Sequence, residues 1–277
     1  MASDTHADTV RRHYGKTGLL NRIYAVLTAV GKNIGSLKPE DLTPVDEFHT
    51  RGPAATKDLA RLLAIKSGER ILDLGCGIGG PARYLTRTFD VTVTGVDLTP
   101  EFIDTAIALS ERVGMGGRID FRVADALHIP FPDESFDIVW SQNVAMNIAD
   151  RPALYREIRR VLNPGGRYGF TDITQGAGGP LHYPMPWASR PAFSHLLSID
   201  DTRKTLEAAG FRIAALDDQT EDAAAQANAR IAKDGAAPSP LSTSMLIGND
   251  YAAVVPNLAR NLSEGRMHHI QAVAVRS

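Results

Sequence analysis

The chain has 277 residues, 43% hydrophobic and 22% charged, with a formal net charge of −2. That length suits one large domain, or one domain with elaborations. A near-neutral balance without a dense Lys/Arg run argues against nucleic acid and anionic lipid as partners, and no apolar run reaches the roughly 18 residues a bilayer span needs. The polar start "MASDTHADTV" does not read as a signal peptide. Cys76 is the only cysteine, so no intrachain disulfide can form and a reducing, cytoplasmic setting is expected.

Residues 1–16 read as a polar, frayed or helical lead-in. Residues 17–35 carry Leu19, Leu20, Ile23, Val26, Leu27 and Val30 at helical spacing. "SLKPEDLTPVDEFHTRG" reads as a loop punctuated by Pro39, Pro44 and Gly52. A helix over 53–65 follows, with Leu59, Leu62, Leu63 and Ile65 mostly on one side. From there strands and helices alternate: strand "RILDL", helix 80–89, strand "VTVTGV", then a helix opening at "TPEF" with Thr99 as N-cap and Pro100 at its first position. That helix has Phe102, Ile103, Ala106, Ile107 and Val113 as its apolar face. Strands "RIDFRV" and "SFDIVWS" come next, then a helix from about Asp150 to Leu162 that stops at the turn signal "NPGG", and the strand "RYGFTDI".

This alternation predicts a mostly parallel sheet covered by helices on both faces. Beyond it, "TQGAGGPLHYPMPWASRP" is too rich in Gly and Pro for a regular element. Ser198 caps a helix with Asp201 in a weak capping box, Gly210 ends it, and "FRIAAL" is a strand. Residues 221–265 are mostly helical, interrupted by "DGAAPSP", and "MHHIQAVAVRS" alternates like a last strand. Its connection through an excursion predicts an antiparallel pair at the sheet edge. The expected fold is therefore a Rossmann-like α/β, seven-stranded sheet with an antiparallel edge strand, a helical N-terminal cover over 1–52, and a main domain over 53–277. Within that domain, 174–200 and 221–265 are elaborations.

The glycine turn after the first strand, "RILDLGCGIGG", is the most informative stretch. Read from Gly75, with Gly80 in the third position, it satisfies the dinucleotide fingerprint, so a nicotinamide dinucleotide stays allowed. It also has Asp73 two residues ahead of the first glycine and alternate glycines at Gly75, Gly77 and Gly79. A pyrophosphate wants a helix N-terminus and no nearby acid. An acid at Asp73 suits a cationic group instead, or else it bonds the turn's own backbone.

"D-x-G-x-G-x-G" resembles the first motif of class I S-adenosylmethionine (AdoMet)-dependent methyltransferases. "VADALHIPFPDESFDIVWSQNVAMNI" and "EIRRVLNPGGRYGFTDI" resemble the later motifs, in order, across residues 70–173. "DEFHTRGPAATKDLARLL" resembles the segment that precedes the first motif in small-molecule members, including those acting on glycine, sarcosine, dimethylglycine and phosphoethanolamine. The resemblance implies AdoMet as cofactor and S-adenosylhomocysteine as product. Asp97 would meet the ribose hydroxyls with Leu98 beside it, Asp125 the adenine amine with Ala126 N–H facing the ring, and Gln142 the methionine end. Phe48 and His49 would line the cofactor.

The methyl acceptor would be a small organic molecule bearing an N or O nucleophile. Glycine- or sarcosine-type N-methylation, C-methylation of a natural product, and a non-catalytic AdoMet-binding domain are alternatives. Substrate-side candidates are Tyr14 (with His13) from the N-terminal segment, Asn143, Met146 and Asn147 at the fourth strand's exit, and His182, Tyr183 and Trp187 in the Gly/Pro segment. No single residue is assigned catalysis. Some phosphoethanolamine enzymes place a histidine near Asn147, and an amide there cannot act as a base near neutral pH. His195 reads as structural, His268 and His269 as one per sheet face, and Arg159 and Arg160 as a solvated helix face. No Cys/His/acid cluster has metal spacing, so no metal is expected. A homodimer is compatible with the N-terminal helices and the 221–265 excursion.

Overall fold

The computed structural model describes residues 18–234, 241, 242, 245 and 251–277. Its elements in chain order are α1 (Leu19–Ala29), α2 (Pro39–Asp46), α3 (Pro53–Leu63), β1 (Arg70–Leu74), α4 (Gly80–Thr88), β2 (Thr92–Asp97), α5 (Pro100–Arg112), β3 (Ile119–Val123) and β4 (Phe136–Gln142). They continue with α6 (Arg151–Val161), β5 (Leu162–Gln175), α7 (Ile199–Ala208), β6 (Phe211–Asp218), α8 (Thr220–Asp234), α9 (Tyr251–Ser263) and β7 (Met267–Arg276). Tyr14 and His13 lie outside the described residues.

The seven strands form one sheet in the order β3-β2-β1-β4-β5-β7-β6. The first five pair in parallel, and β7 runs antiparallel to both β5 and β6. The antiparallel pair is thus at the sheet edge, with β7 second from the end and β6 outermost. Side chains alternate between the two faces. Leu72, Val139, Tyr168, Phe170 and Ile270 join the core under α6 and α7, while Ile71, Ile138, Trp140 and Val273 join the core under α3, α4 and α5. Connections that place helices on both faces leave the carboxyl ends of β1 to β4 facing one edge, where open parallel sheets bind ligands.

Four local readings change. The stretch read as a loop before Gly52 contains α2. Pro39 sits at its first position, where the missing N–H costs nothing, Asp41 completes a capping box, and the buried Leu42 and Val45 hold the helix down despite Pro44. "NPGG" is a bulge inside β5 rather than a turn ahead of it: Phe136 pairs with Leu162 and Ile138 with Arg167, so Asn163–Gly166 stand opposite Asp137 alone. On α5, Ile107 is exposed and Leu109 takes its place in the core. Thr99 is the N-cap residue, but its side chain makes no capping bond; Asp97 Oδ1 accepts the Thr99 N–H at 2.8 Å. The Ser198 cap is present, with Ser198 Oγ accepting from Asp201 N at 3.1 Å.

The helices of the N-terminal segment pack over α5 and α4. Leu19, Ile23, Leu27, Leu42 and Val45 share a buried cluster with Phe102 and Leu109. The Arg83 guanidinium on α4 is buried against Asp46 at the end of α2 and donates to Ser110 Oγ at 3.0 Å. Burial pushes the Asp46 carboxyl up to about 6 against the pull of Arg83. At Gly80 a Cβ would lie 2.0 Å from Asp46 O, so only glycine allows α2 to end directly on the start of α4.

Candidate functional site

A cavity of about 940 Å³ opens at the carboxyl ends of β1 to β4. Its cofactor-type end is built by the turn after β1. Gly75, Gly77 and Gly79 have φ of 75°, 54° and 84°, a region that favours glycine. A Cβ at Gly77 would meet nothing within 4 Å, so a ligand can approach its backbone closely. Gly75 and Gly77 line the cavity; Gly79 does not, and serves instead as the left-handed cap of α4.

Much of the turn's backbone is already satisfied inside the protein. Gly75 N and Cys76 N both donate to Val96 O (2.8 and 3.0 Å), Gly77 N donates to Asp97 Oδ2 (3.0 Å), and Gly79 N to Cys76 O (2.9 Å). A pyrophosphate would need such N–H groups free, and it would face the acidic side chains of Asp73 and Asp97 rather than cations. The geometry therefore disfavours a dinucleotide. Asp97 accepts one backbone bond on each oxygen, and a carboxylate retains further acceptor capacity for hydroxyls. Asp125, two residues past β3, accepts from Leu127 N at 2.9 Å and lines the cavity with Leu98 and Ala126.

The deepest polar pair sits on adjacent strands. Asp73 is buried on β1, and its Oδ2 has no partner. Burial first, then the charges of Glu47 and Asp97, push its carboxyl up to about 8. Gln142 ends β4. Its Oε1 accepts from Trp140 Nε1 at 3.0 Å and faces Thr56 Oγ1 at 3.2 Å, which leaves Nε2 buried and unpartnered. An acceptor lacking a cationic donor and a donor lacking an acceptor thus share one wall. They match the ammonium and carboxylate of an amino acid.

His49 and Phe48 line the same cavity. His49 Nε2 lies 2.7 Å from Glu47 Oε2, and Thr56 Oγ1 donates to that same oxygen at 2.7 Å. Burial opposes the ionised Glu47, but the His49 and Thr56 bonds outweigh it and hold the carboxyl below its ordinary range.

The other end of the cavity is largely apolar: Met146, Pro186, Trp187, Val254, Val255 and Leu258. Trp187 donates Nε1 to Ser194 Oγ at 2.9 Å, which fixes its ring as a wall. Asn143 has φ 55°, donates Nδ2 to Thr50 Oγ1 at 3.2 Å and keeps a buried, unpartnered Oδ1; Asn147 Nδ2 donates to Val144 O at 3.3 Å. His182 and Tyr183 do not line the cavity. His182 is drawn to Glu264, just past the end of α9, at 3.0 Å, and Tyr183 packs beside Met185 and Trp187. Sequence reading missed Arg51, Gln226, Arg230 and the α9 wall. A charge inside the glycine- and proline-flanked "TRGP" was the one available signal for Arg51.

Among the described residues no His/Cys/Asp/Glu group is arranged to hold a metal, and no helix is long and apolar enough to cross a membrane.

Residues 72–170 match the family described as "Methyltransferase domain". The chain is 32% identical over 172 residues to a phosphoethanolamine N-methyltransferase of Triticum aestivum, covering 62% of this chain and 34% of that protein. It is 37% identical over 131 residues to the 27-O-demethylrifamycin SV methyltransferase of Amycolatopsis mediterranei, covering 46% of this chain and 48% of that one. The chain thus spans about a third to a half of the length of these curated relatives. Phosphoethanolamine N-methyltransferase 2 of Haemonchus contortus, solved with phosphomonomethylethanolamine and S-adenosylhomocysteine, superposes over 99% of this chain and 60% of its own at TM-score 0.74 and 21% identity, which shows a shared fold. Fold, motifs and the match over residues 72–170 are those of a class I AdoMet-dependent methyltransferase domain.

Proposed function

We propose that the chain transfers a methyl group from AdoMet to an N or O nucleophile of a small organic acceptor. The observation that carries this reading is the buried pair of unpartnered groups, Asp73 Oδ2 and Gln142 Nε2, beside a turn whose N–H groups are largely satisfied. The pair fits the zwitterionic methionine end, Asp97 the ribose, and Asp125 with Ala126 the adenine. In this reading residues 1–52 are the cover, which lends Phe48, His49 and Arg51 to the cavity wall, and 53–277 are the methyltransferase domain. The single buried cysteine supports a reducing, cytoplasmic setting.

When bound, AdoMet supplies a methyl on a sulfonium that leaves as a neutral thioether. The protein's task is then to hold the nucleophile in line, roughly 3–3.5 Å from the methyl. Trp187, Met146 and Leu258 exclude water at the acceptor end, and Asn143 Oδ1 is placed to accept a hydrogen bond from an incoming amine or hydroxyl. Neither Asn143 nor Asn147 can take up a proton, and His49 Nε2 is engaged with Glu47. An amine arriving neutral therefore suits the site best.

Titration calorimetry with AdoMet and with NAD, followed by product mass after incubation with amines, phenols and carboxylates, tests the reading. Tight NAD binding without an AdoMet response overturns it. AdoMet binding without turnover on any acceptor class favours a non-catalytic binding domain. Asp125→Ala removes one acceptor at a half-open position and is expected to weaken AdoMet binding by about 1 kcal/mol, the net worth of one hydrogen bond. Calorimetry against the parent protein reads that difference, and unchanged affinity would remove Asp125 from the adenine site.

A further inference from the structure

Arg51 is a charged residue of the cavity wall for which the proposed reaction has no use. It sits between α2 and α3, with φ 67° and a side chain only 6% exposed. Its Nη2 donates to Asp58 Oδ2 at 2.8 Å and lies 3.5 Å from Asp222 Oδ2, while Nε and Nη1 are buried without partners. Neither carboxylate belongs to Arg51 alone. Asp58 is shared with Arg61, and Asp222 is 66% exposed to water. A guanidinium held in left-handed backbone with two of its three nitrogens unsatisfied lacks a bidentate anionic partner.

The position of Arg51 says which ligand would supply that partner. Asp222 opens α8, and Ala223, Gln226, Ala227 and Arg230 of the same helix line the apolar end of the cavity. On the sheet side, the buried His269 of β7 has neither ring nitrogen bonded. Burial first, and then the charges of Arg51 and His49, push it down to about 3. Arg51 therefore stands over the β7 side of the sheet with α8, whereas Asp73 and Gln142 stand on β1 and β4.

Resting on the AdoMet reading, we propose that Arg51 anchors an anionic group, carboxylate or phosphate, carried by the methyl acceptor. The acceptor is then a small amphipathic molecule. Its anion sits against the Arg51 guanidinium, its apolar body against Trp187 and Leu258, and its nucleophile near Asn143.

The test begins with S-adenosylhomocysteine titrated into the parent protein. Absence of binding there removes the reading of the cofactor site, whatever the anions do. With S-adenosylhomocysteine saturating, acetate and inorganic phosphate are added separately and the melting temperature is monitored. The parent is expected to rise with at least one of the two anions, and R51Q to lose that rise while keeping its S-adenosylhomocysteine affinity. R51K, which keeps charge but not the fork, is expected to respond more weakly than the parent. D222N removes an exposed competitor without disturbing the fold, and is expected to strengthen the anion response two- to fivefold. Among methyl acceptors, those with a carboxylate or phosphate should show KM raised at least tenfold in R51Q, with neutral analogues unchanged. Two results overturn the proposal. One is a complex that responds to neither anion in the parent and in D222N. The other is an R51Q or R51K variant whose S-adenosylhomocysteine affinity falls while anionic and neutral acceptors are affected equally, which would place the cofactor's carboxylate on Arg51.

Discussion

Asp172→Ala is expected to destabilise the protein by about 3–5 kcal/mol, measured as a fall in the urea midpoint at unchanged m-value. Asp172 and Arg151 are both buried, with Nη1 to Oδ2 at 3.2 Å. Removing the carboxylate leaves an uncompensated guanidinium between β5 and α6, which is the costly half of any buried pair. Arg151 does more than meet Asp172. Its Nη1 reaches Tyr155 OH at 3.3 Å and its Nη2 donates to His195 O at 3.0 Å, while Asp172 Oδ1 accepts from Met146 N at 3.3 Å. The pair thus ties the exit of β4 and the Gly/Pro segment to the sheet, two pieces of the acceptor wall. Replacing both partners with apolar residues of similar size, R151M with D172L, should recover most of the stability, because no charge is then left buried alone. It should not recover acceptor binding, because Met146 and the segment after Trp187 lose their tether. A loss below about 1 kcal/mol in Asp172→Ala would show that the pair is solvated.

The alternating sheet was legible because each of its strands is a short apolar run bounded by turn chemistry, and pattern of that kind is local. The glycine turn with Asp73, Asp97 and Asp125 was legible for the same reason: each acid ends a strand, closely follows one or stands two residues before a glycine. What escaped was decided by distant partners. His182 was read as a candidate for the acceptor site, yet Glu264, 82 residues on, draws its ring away. α2 was hidden because Pro39 and Pro44 read as breakers, although the burial of Leu42 and Val45 against the first helix outweighs them. The unpartnered Nε2 of Gln142 follows from Trp140 and Thr56 occupying its oxygen, and the acceptor wall from α9 packing on α8. Spacing along the chain carries neither fact.

The affinity for S-adenosylhomocysteine is expected to rise about tenfold per pH unit between pH 6 and 7.5, and D73N should abolish that slope. In the free protein the Asp73 carboxyl is pushed up to about 8 by burial, Glu47 and Asp97. Between about pH 4 and that value the native state holds a proton on Asp73 that the unfolded chain, with an ordinary carboxyl near 4, has already released. Two consequences have opposite sign. Stability of the free protein contributed by this group is fully present below about pH 4 and is lost as pH rises from there through about 8, because the proton must leave a buried site. Binding of an ammonium beside Asp73 favours the carboxylate, so the ligand must displace that proton, and each unit below 8 costs binding about 1.4 kcal/mol. Above about 8 Asp73 is already ionised in the free protein, no proton has to be displaced, and the gain stops. Calorimetry in two buffers of different ionisation heat should therefore register close to one proton released per ligand at pH 6.5, and none in D73N. Thermal unfolding gives an independent reading: the ligand should stabilise the parent more at pH 7.5 than at pH 6. A flat affinity across that range, with no proton released, would place the ammonium elsewhere and return Asp73 to the role of bracing the turn's own backbone.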